Sequence, residues 1–328
     1  MNMDNSLTYV VTICAVIFGA DETILNVNLD KELRFERKSL MPLKDHMDMI
    51  FETDAIGLRR DYETARIDKA LDVICVFKSF TICLERTDVE EYYKKMCDDV
   101  LDYLDNSIRA IRLFVEGPVR FKKLSIRMES QTVCVGKTNM SGKFSSILLI
   151  GEAIKTNTIC KFHCDDEKID ELNSNISLIR FPLLNALLND CHRYYDLSYH
   201  QDNFISITLL ITCLEILFLE NEKSIKKILA KRCSVFLYDS IDERLICYNK
   251  LKKTYKKRYD FVHDGDSLQI TNEDILFLRD CVRKSLVKYL SFKCNKIDVI
   301  KELKTTIEKL DYLSDNEWVK TIIFTLSI

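Results

Sequence analysis

The chain has 328 residues, 47% of them hydrophobic and 30% charged, with a formal net charge of -3. These values place it among soluble globular proteins of two-domain size, and the small negative charge excludes nucleic-acid binding by the surface as a whole, so any such site must be local. Only three prolines and seven glycines are present, which points to long helices and few tight turns.

Residues 8–18 are β-branched and apolar and read as a strand. Gly19-Ala20-Asp21-Glu22 is a turn, and 25–35 alternates apolar with polar as a second strand. Residues 42–70 read as a helix and 71–85 as a strand. Val89, Tyr92, Met96, Val100, Leu104, Ile108 and Ile111 follow the three-four spacing of an amphipathic helix over 88–116. Asp88 is its expected N-cap and Gly117-Pro118 its stop. Strand-like pieces follow at 119–135 and 144–151, so the first half is mixed α+β.

Beyond about 168 nearly everything reads as helix, over 178–195, 205–219, 223–236, 242–261, 272–292 and 297–313. Pro182 places the true start of the first near itself. Leu278, Val282, Leu286 and Leu290 form one core stripe. The composition changes near 155–175, where the acidic run from Asp165 and Asn173-Ser174-Asn175 read as a linker. The expected organisation is an α+β domain over 1–165, with a sensing or regulatory role, and an all-α domain over 166–328.

Thirteen cysteines are scattered through apolar segments, no basic-apolar leader precedes them, and they read as reduced, buried small hydrophobes of a cytoplasmic protein. The apolar run 205–219 is too short and too polar to span a bilayer. Gly136-Lys137-Thr138 lacks the first glycine of a phosphate-binding loop, Gly142-Lys143 is followed by Phe144, and both read as plain turns. Cys160, His163 and Cys164 with Cys191-His192 are weighed as zinc ligands, but the second pair is adjacent and mid-helix, where neighbouring side chains diverge. His46 and His200 read as surface or capping residues. No metal and no cofactor is expected.

Glu215 interrupts the most apolar helix. It is either satisfied by a neighbouring arginine or the backbone, or it anchors a functional arginine. Lys250, Lys252, Lys253, Lys256, Lys257 and Arg258 form a basic run interleaved with Tyr255 and Tyr259. Such a run is either a solvated helix face or a phosphate track with aromatic platforms for unpaired bases. Only Asp260, paired in register with Lys256, offsets it locally. At its end stands Arg258-x4-His263. An imidazole that exchanges protons near neutrality and a guanidinium that grips phosphate are the minimum equipment for cutting RNA without metal. Five residues turn a helix by about 140°, so the two side chains converge only if the helix stops near His263, at Asp264-Gly265, or if a second subunit supplies the complement. Tyr259 and Asp260 stand four and three residues before His263, close enough to orient it.

Over residues 178–292 these features resemble the ApeA-like group of the HEPN superfamily. Asn185-Ala186-Leu187 through Tyr195 looks like its opening helix, Leu214-Glu215 like its apolar helix with embedded Leu-Glu, and Leu229-Ala230-Lys231-Arg232 like its Leu-Ala-x-Arg. Tyr255-x2-Arg258-x4-His263-x-Gly265 is similar to its signature, and Leu113 to Gly117, after a long helix, is similar to the N-terminal regions of these proteins. The resemblance implies a prokaryotic anti-phage or toxin-like endoribonuclease, an abortive-infection hydrolase. Arg258 and His263 would form its metal-independent site, completed in a homodimer and triggered by a phage-derived or regulatory protein. Tyr259, where the family has a small or polar residue, and Asp264, where it has glycine, depart from the pattern. The alternative is a non-catalytic HEPN module that dimerises and senses a protein or nucleic-acid partner.

Overall fold

The structure is a computed structural model that describes residues 6–29, 33–39, 72–85, 88–121, 123–130, 133–135, 138–140, 143–149, 162–220, 222, 225–265, 269–292 and 295–308. The helix expected over 42–70, with His46, lies outside these residues, as do Gly136-Lys137, Gly142 and Cys160. Two compact units form, Met1–Ala153 with Cys160–Ile179 and Ile154–Ile159 with Arg180–Ile328.

The first unit is built on an antiparallel sheet. Its strands are β1 (Ser6–Phe18), β2 (Arg34–Ser39), β3 (Asp72–Glu85), β4 (Arg120–Phe121), β5 (Lys123–Ser130), β6 (Val133–Val135), β7 (Thr138–Met140) and β8 (Lys143–Leu149). The order is β2-β3-β1-β5-β8, with β4 paired to the end of β1 and β6-β7 a separate ribbon. Ile13, Cys14, Ala15, Val16 and Ile17 are all buried, so both faces of the central strand are covered there. Helix α1 (Val89–Phe114) packs against β5 and β8, and Tyr93 donates to the Ile126 carbonyl at 2.7 Å. The buried stripe runs through Tyr93, not Tyr92, because Tyr93 lies one full turn from Val89. Asp88 sits at the N-cap position without a side-chain capping bond. The strand expected from residue 25 begins at Arg34. Before it, Asp21 accepts the Thr23 N–H at 2.9 Å and starts a 3-10 turn over Glu22–Asn26, a local bond that competes with strand pairing.

The boundary expected at 165/166 falls one helix later. Phe162 is fully buried; its N–H donates to Gly19 and its carbonyl accepts from Asp21. A Cβ on Gly117 would lie 2.6 Å from the Phe162 Cα, so only glycine permits this approach. Helix α2 (Asp166–Leu178) then buries Ile169, Leu172 and Ile176 within the same unit, and Asn173 accepts the Asn28 N–H at 2.8 Å. The acidic residues read as a linker are its first turn, where carboxylates favour the positive end of the helix dipole.

The second unit is helical: α3 (Ala186–Leu197), α4 (Asn203–Phe218), α5 (Ile225–Leu237), α6 (Ile241–Asp264), α7 (Asn272–Ser291) and α8 (Lys296–Glu308). The first of these begins at Ala186, four residues beyond the start expected near Pro182, because Asn185 caps it by accepting the Leu188 N–H. Helix α4 packs on the other five and buries Ile207, Leu210, Ile211, Leu214, Leu217 and Phe218, as expected of a helix apolar on most sides. No helix of the described residues is long and apolar enough to cross a membrane. The cysteines whose side chains are described are free thiols, and all of these but Cys83 are buried.

Arg232 of the Leu-Ala-x-Arg stretch is structural. It is buried, donates to the Phe218 carbonyl at 2.6 Å, and meets Glu222 at 2.7 Å, satisfying the end of α4 that helix geometry leaves open. Burial pushes the Glu222 carboxyl up, but the Glu220 N–H and Arg232 outweigh this and hold it below its usual range. Arg232→Ala, which strands both partners, is expected to cost about 3 kcal/mol, read as a lower denaturant midpoint. Because Glu222 has a depressed folded-state pKa, the difference from wild type is full above about pH 4.3 and shrinks as pH falls through the folded-state value. An unchanged midpoint at neutral pH contradicts this role.

Candidate functional site

Helix α6 carries most of the site, and its two ends fix its register. Ser240 accepts the Glu243 N–H at 3.3 Å at the start. Gly265 takes the left-handed conformation at the end, φ 73°, and its N–H closes on the Phe261 carbonyl at 3.0 Å. Nothing lies within 4 Å of where its Cβ would be, so the glycine is there for its backbone alone. The helix therefore runs without a break through both Arg258 and His263. The stop falls at Asp264-Gly265 as read from the sequence, but it comes after His263, so both residues remain on the helix and the stop does not bring them together. They stand about 140° apart around the axis.

Arg258 turns toward α4. Its Nη1 lies 4.0 Å from the Glu215 Oε1, and its guanidinium is 5.7 Å from the Tyr255 ring centre. The same Glu215 oxygen accepts the Tyr255 hydroxyl at 2.8 Å. Burial and then the Glu215 carboxylate push the Tyr255 phenol up to about 12, which keeps it a donor across physiological pH. Glu215 is thus shared by a phenol and a guanidinium, so its carboxylate has a partner in Tyr255 and a neighbouring arginine. The arginine is not saturated: its Nε is buried without a hydrogen-bond partner among the described residues, and its side chain keeps 23% of its exposure.

His263 lies on a different stripe of the helix. It is exposed, and its ring rests on Tyr259 with centroids 4.2 Å apart. Lys252, Lys256, Tyr259 and His263 succeed one another at spacings of four, three and four, so they share one face. Asp260 is half-buried and forms no ion pair with Lys256 or His263 among the described residues, so of the two proposed supports only Tyr259 touches the imidazole.

The basic run is less free than its composition suggests. Lys257 meets Asp274 at 2.6 Å, and Asp274 is the acid of the capping box that starts α7 with Thr271. Burial would raise the Asp274 pKa, but Lys257 and Thr271 hold it below its ordinary value. Lys257 is therefore a bolt between α6 and α7 and is withdrawn from the RNA-binding set. Lys250 lies over Phe277 at 4.5 Å and Lys252 over Tyr248 at 4.7 Å. Lys253 and Lys256 are exposed.

The weighed zinc ligands find other partners. His163 meets Asp21 at 2.7 Å in the first unit. In the second, the Cys191 and Cys213 thiols point at each other's carbonyls, and His192 is buried against Phe181. Sequence reasoning missed a different group. Cys233, Cys247 and Cys281 bring their sulfurs within 4.8 Å of one another from three helices, with no local spacing that flags them. It also missed Asp274, whose role appears only once α6 and α7 lie side by side. No protein-family model, no curated protein and no solved structure matches this chain.

Proposed function

We propose that the helical unit is a HEPN-type, metal-independent endoribonuclease that works as a homodimer, in anti-phage defence or toxin-like growth arrest. The observation that carries this reading is the state of Arg258. It is aimed by a carboxylate at the limit of ion-pair distance and keeps an unsatisfied Nε, while an exposed imidazole stands farther along the same helix. A buried donor without a partner costs stability, and a phosphate oxygen is the acceptor a guanidinium matches best. In the reaction the RNA 2′-oxygen attacks its adjacent phosphorus, and the P–O5′ bond breaks. A base takes the 2′ proton, an acid returns one to the 5′-oxygen, and a 2′,3′-cyclic phosphate remains. His263 moves the protons and Arg258 holds the charge that develops on the phosphoryl oxygens. The nucleophile belongs to the RNA, so the chemistry calls for no metal.

One chain presents Arg258 and His263 in divergent directions, so a single copy does not grip one phosphate with both. A two-fold axis brings the arginine of one subunit beside the histidine of the other. Tyr259, Val262 and Ile205 are exposed apolar side chains on α6 and α4, suited to such a face. The pairing of Lys257 and Arg258 with acids of their own chain favours the second reading, a dimerising sensor module without catalysis.

His263→Ala is expected to lower RNA cleavage by about 10²–10⁴-fold, with an unchanged melting temperature because the ring is exposed. Wild-type cleavage by this variant removes the site. An intact dimer whose wild type leaves every RNA uncut supports the sensor reading.

Lys252→Gln combined with Lys256→Gln is expected to flatten the salt dependence of single-stranded RNA affinity, by about 0.7 in log-log slope for each lysine that had neutralised a phosphate. Lys257→Gln is expected to leave the slope alone and lower stability instead. A slope unmoved by the double variant assigns this face to solvation.

A further inference from the structure

Cys233 on α5, Cys247 on α6 and Cys281 on α7 meet where the three helices pack, and each is 2% exposed or less. Their sulfurs lie within 4.8 Å of one another, the only group of three or more possible ligands that converges among the described residues. A metal about 2.3 Å from each of three sulfurs would hold them about 4 Å apart, so a small inward adjustment closes the triangle.

Two other buried thiols of the helical unit behave differently. Cys191 and Cys213 each turn to a backbone carbonyl. The three cysteines instead converge on one another, with their sulfurs gathered from three helices. Leu229, Leu251, Leu278 and Val282 are buried one turn or less away, as are the polar Arg244 and Ser285. The group includes no carboxylate and no imidazole, which excludes hard cations such as magnesium and calcium. Structural zinc takes four ligands, and only three converge here.

We propose that Cys233, Cys247 and Cys281 form a three-sulfur site for one soft d10 cation, copper(I), that ties α5, α6 and α7 together. The thiols release protons to solvent as the metal–sulfur bonds form, and no electron is transferred. Because the sulfurs are covered, the ion enters as the helices assemble or when they open, and binding stabilises the folded unit. The site is independent of the RNA-cleavage reading and does not share its residues.

The test uses the reduced full-length protein, refolded without oxygen and with copper(I) supplied from a chelator that buffers its free concentration. Three samples are compared: wild type, Cys247→Ala, and Cys213→Ala as a control at a buried thiol outside the group. The expected result is one copper per wild-type chain and a melting temperature several degrees higher. Both should persist in Cys213→Ala and vanish in Cys247→Ala. Zinc at the same free concentration is expected to give neither. The proposal is overturned if wild type binds no stoichiometric copper, if binding survives in Cys247→Ala, or if zinc displaces the copper. Should Cys247→Ala fail to fold, the wild-type arm still decides. Stoichiometry with a thermal shift is retained by a real site, and loss of either one rejects it.

Discussion

The pitch of α6 is the constraint on which the candidate site depends. A helix capped at Ser240 and released only at Gly265 cannot place Arg258 and His263 on one side, because their separation in sequence sets their angle about the axis. The two candidate groups fall on two stripes of a single helix. One carries the guanidinium toward Glu215 of α4, over the ring of Tyr255 on its own helix. The other carries the imidazole outward beside Lys252 and Lys256. On the proposed reading, the second subunit is needed because one helix cannot aim both groups at one phosphate.

The charges within the helical unit fall into two kinds, and their burial separates them. Arg232 with Glu222 and Lys257 with Asp274 are close, well-shielded pairs that close helix ends and bolt neighbouring helices. Removing one member of such a pair strands the other, so they hold the fold. Arg258 with Glu215 is longer, more exposed and incompletely satisfied. A pair of that kind adds little to stability and leaves capacity for a ligand.

Much of this was legible from short-range pattern. The three-four spacing of 88–116 and the Asp264-Gly265 stop are local signals set by helix geometry, and each lies where the sequence placed it within a residue or two; the Leu278-Val282-Leu286-Leu290 stripe is buried through Leu286, with Tyr289 buried in place of Leu290. Glu215 stood out because a carboxylate in an apolar helix demands a partner. What escaped was decided between distant residues. Phe162 anchors to Gly19 and Gly117, which moves the division between units past α2. Asp274 claims Lys257 from another helix, and this turns part of an apparent phosphate track into a brace. Cys233, Cys247 and Cys281 are neighbours only after three helices pack. Composition ranks residues by chemistry, while commitment to a partner is a property of the packed molecule.

The central claim, that Arg258 and His263 act together across a two-fold interface, is tested most directly by mixing two inactive proteins. Arg258→Ala and His263→Ala subunits are unfolded together, refolded as a mixture, and assayed for RNA cleavage beside each variant alone. The account predicts that each variant alone is inactive and that the mixture recovers a substantial fraction of wild-type activity, because mixed dimers hold one complete arginine-histidine pair. A mixture that forms mixed dimers yet stays as inactive as its components, or a wild type that is fully active as a monomer, would contradict it.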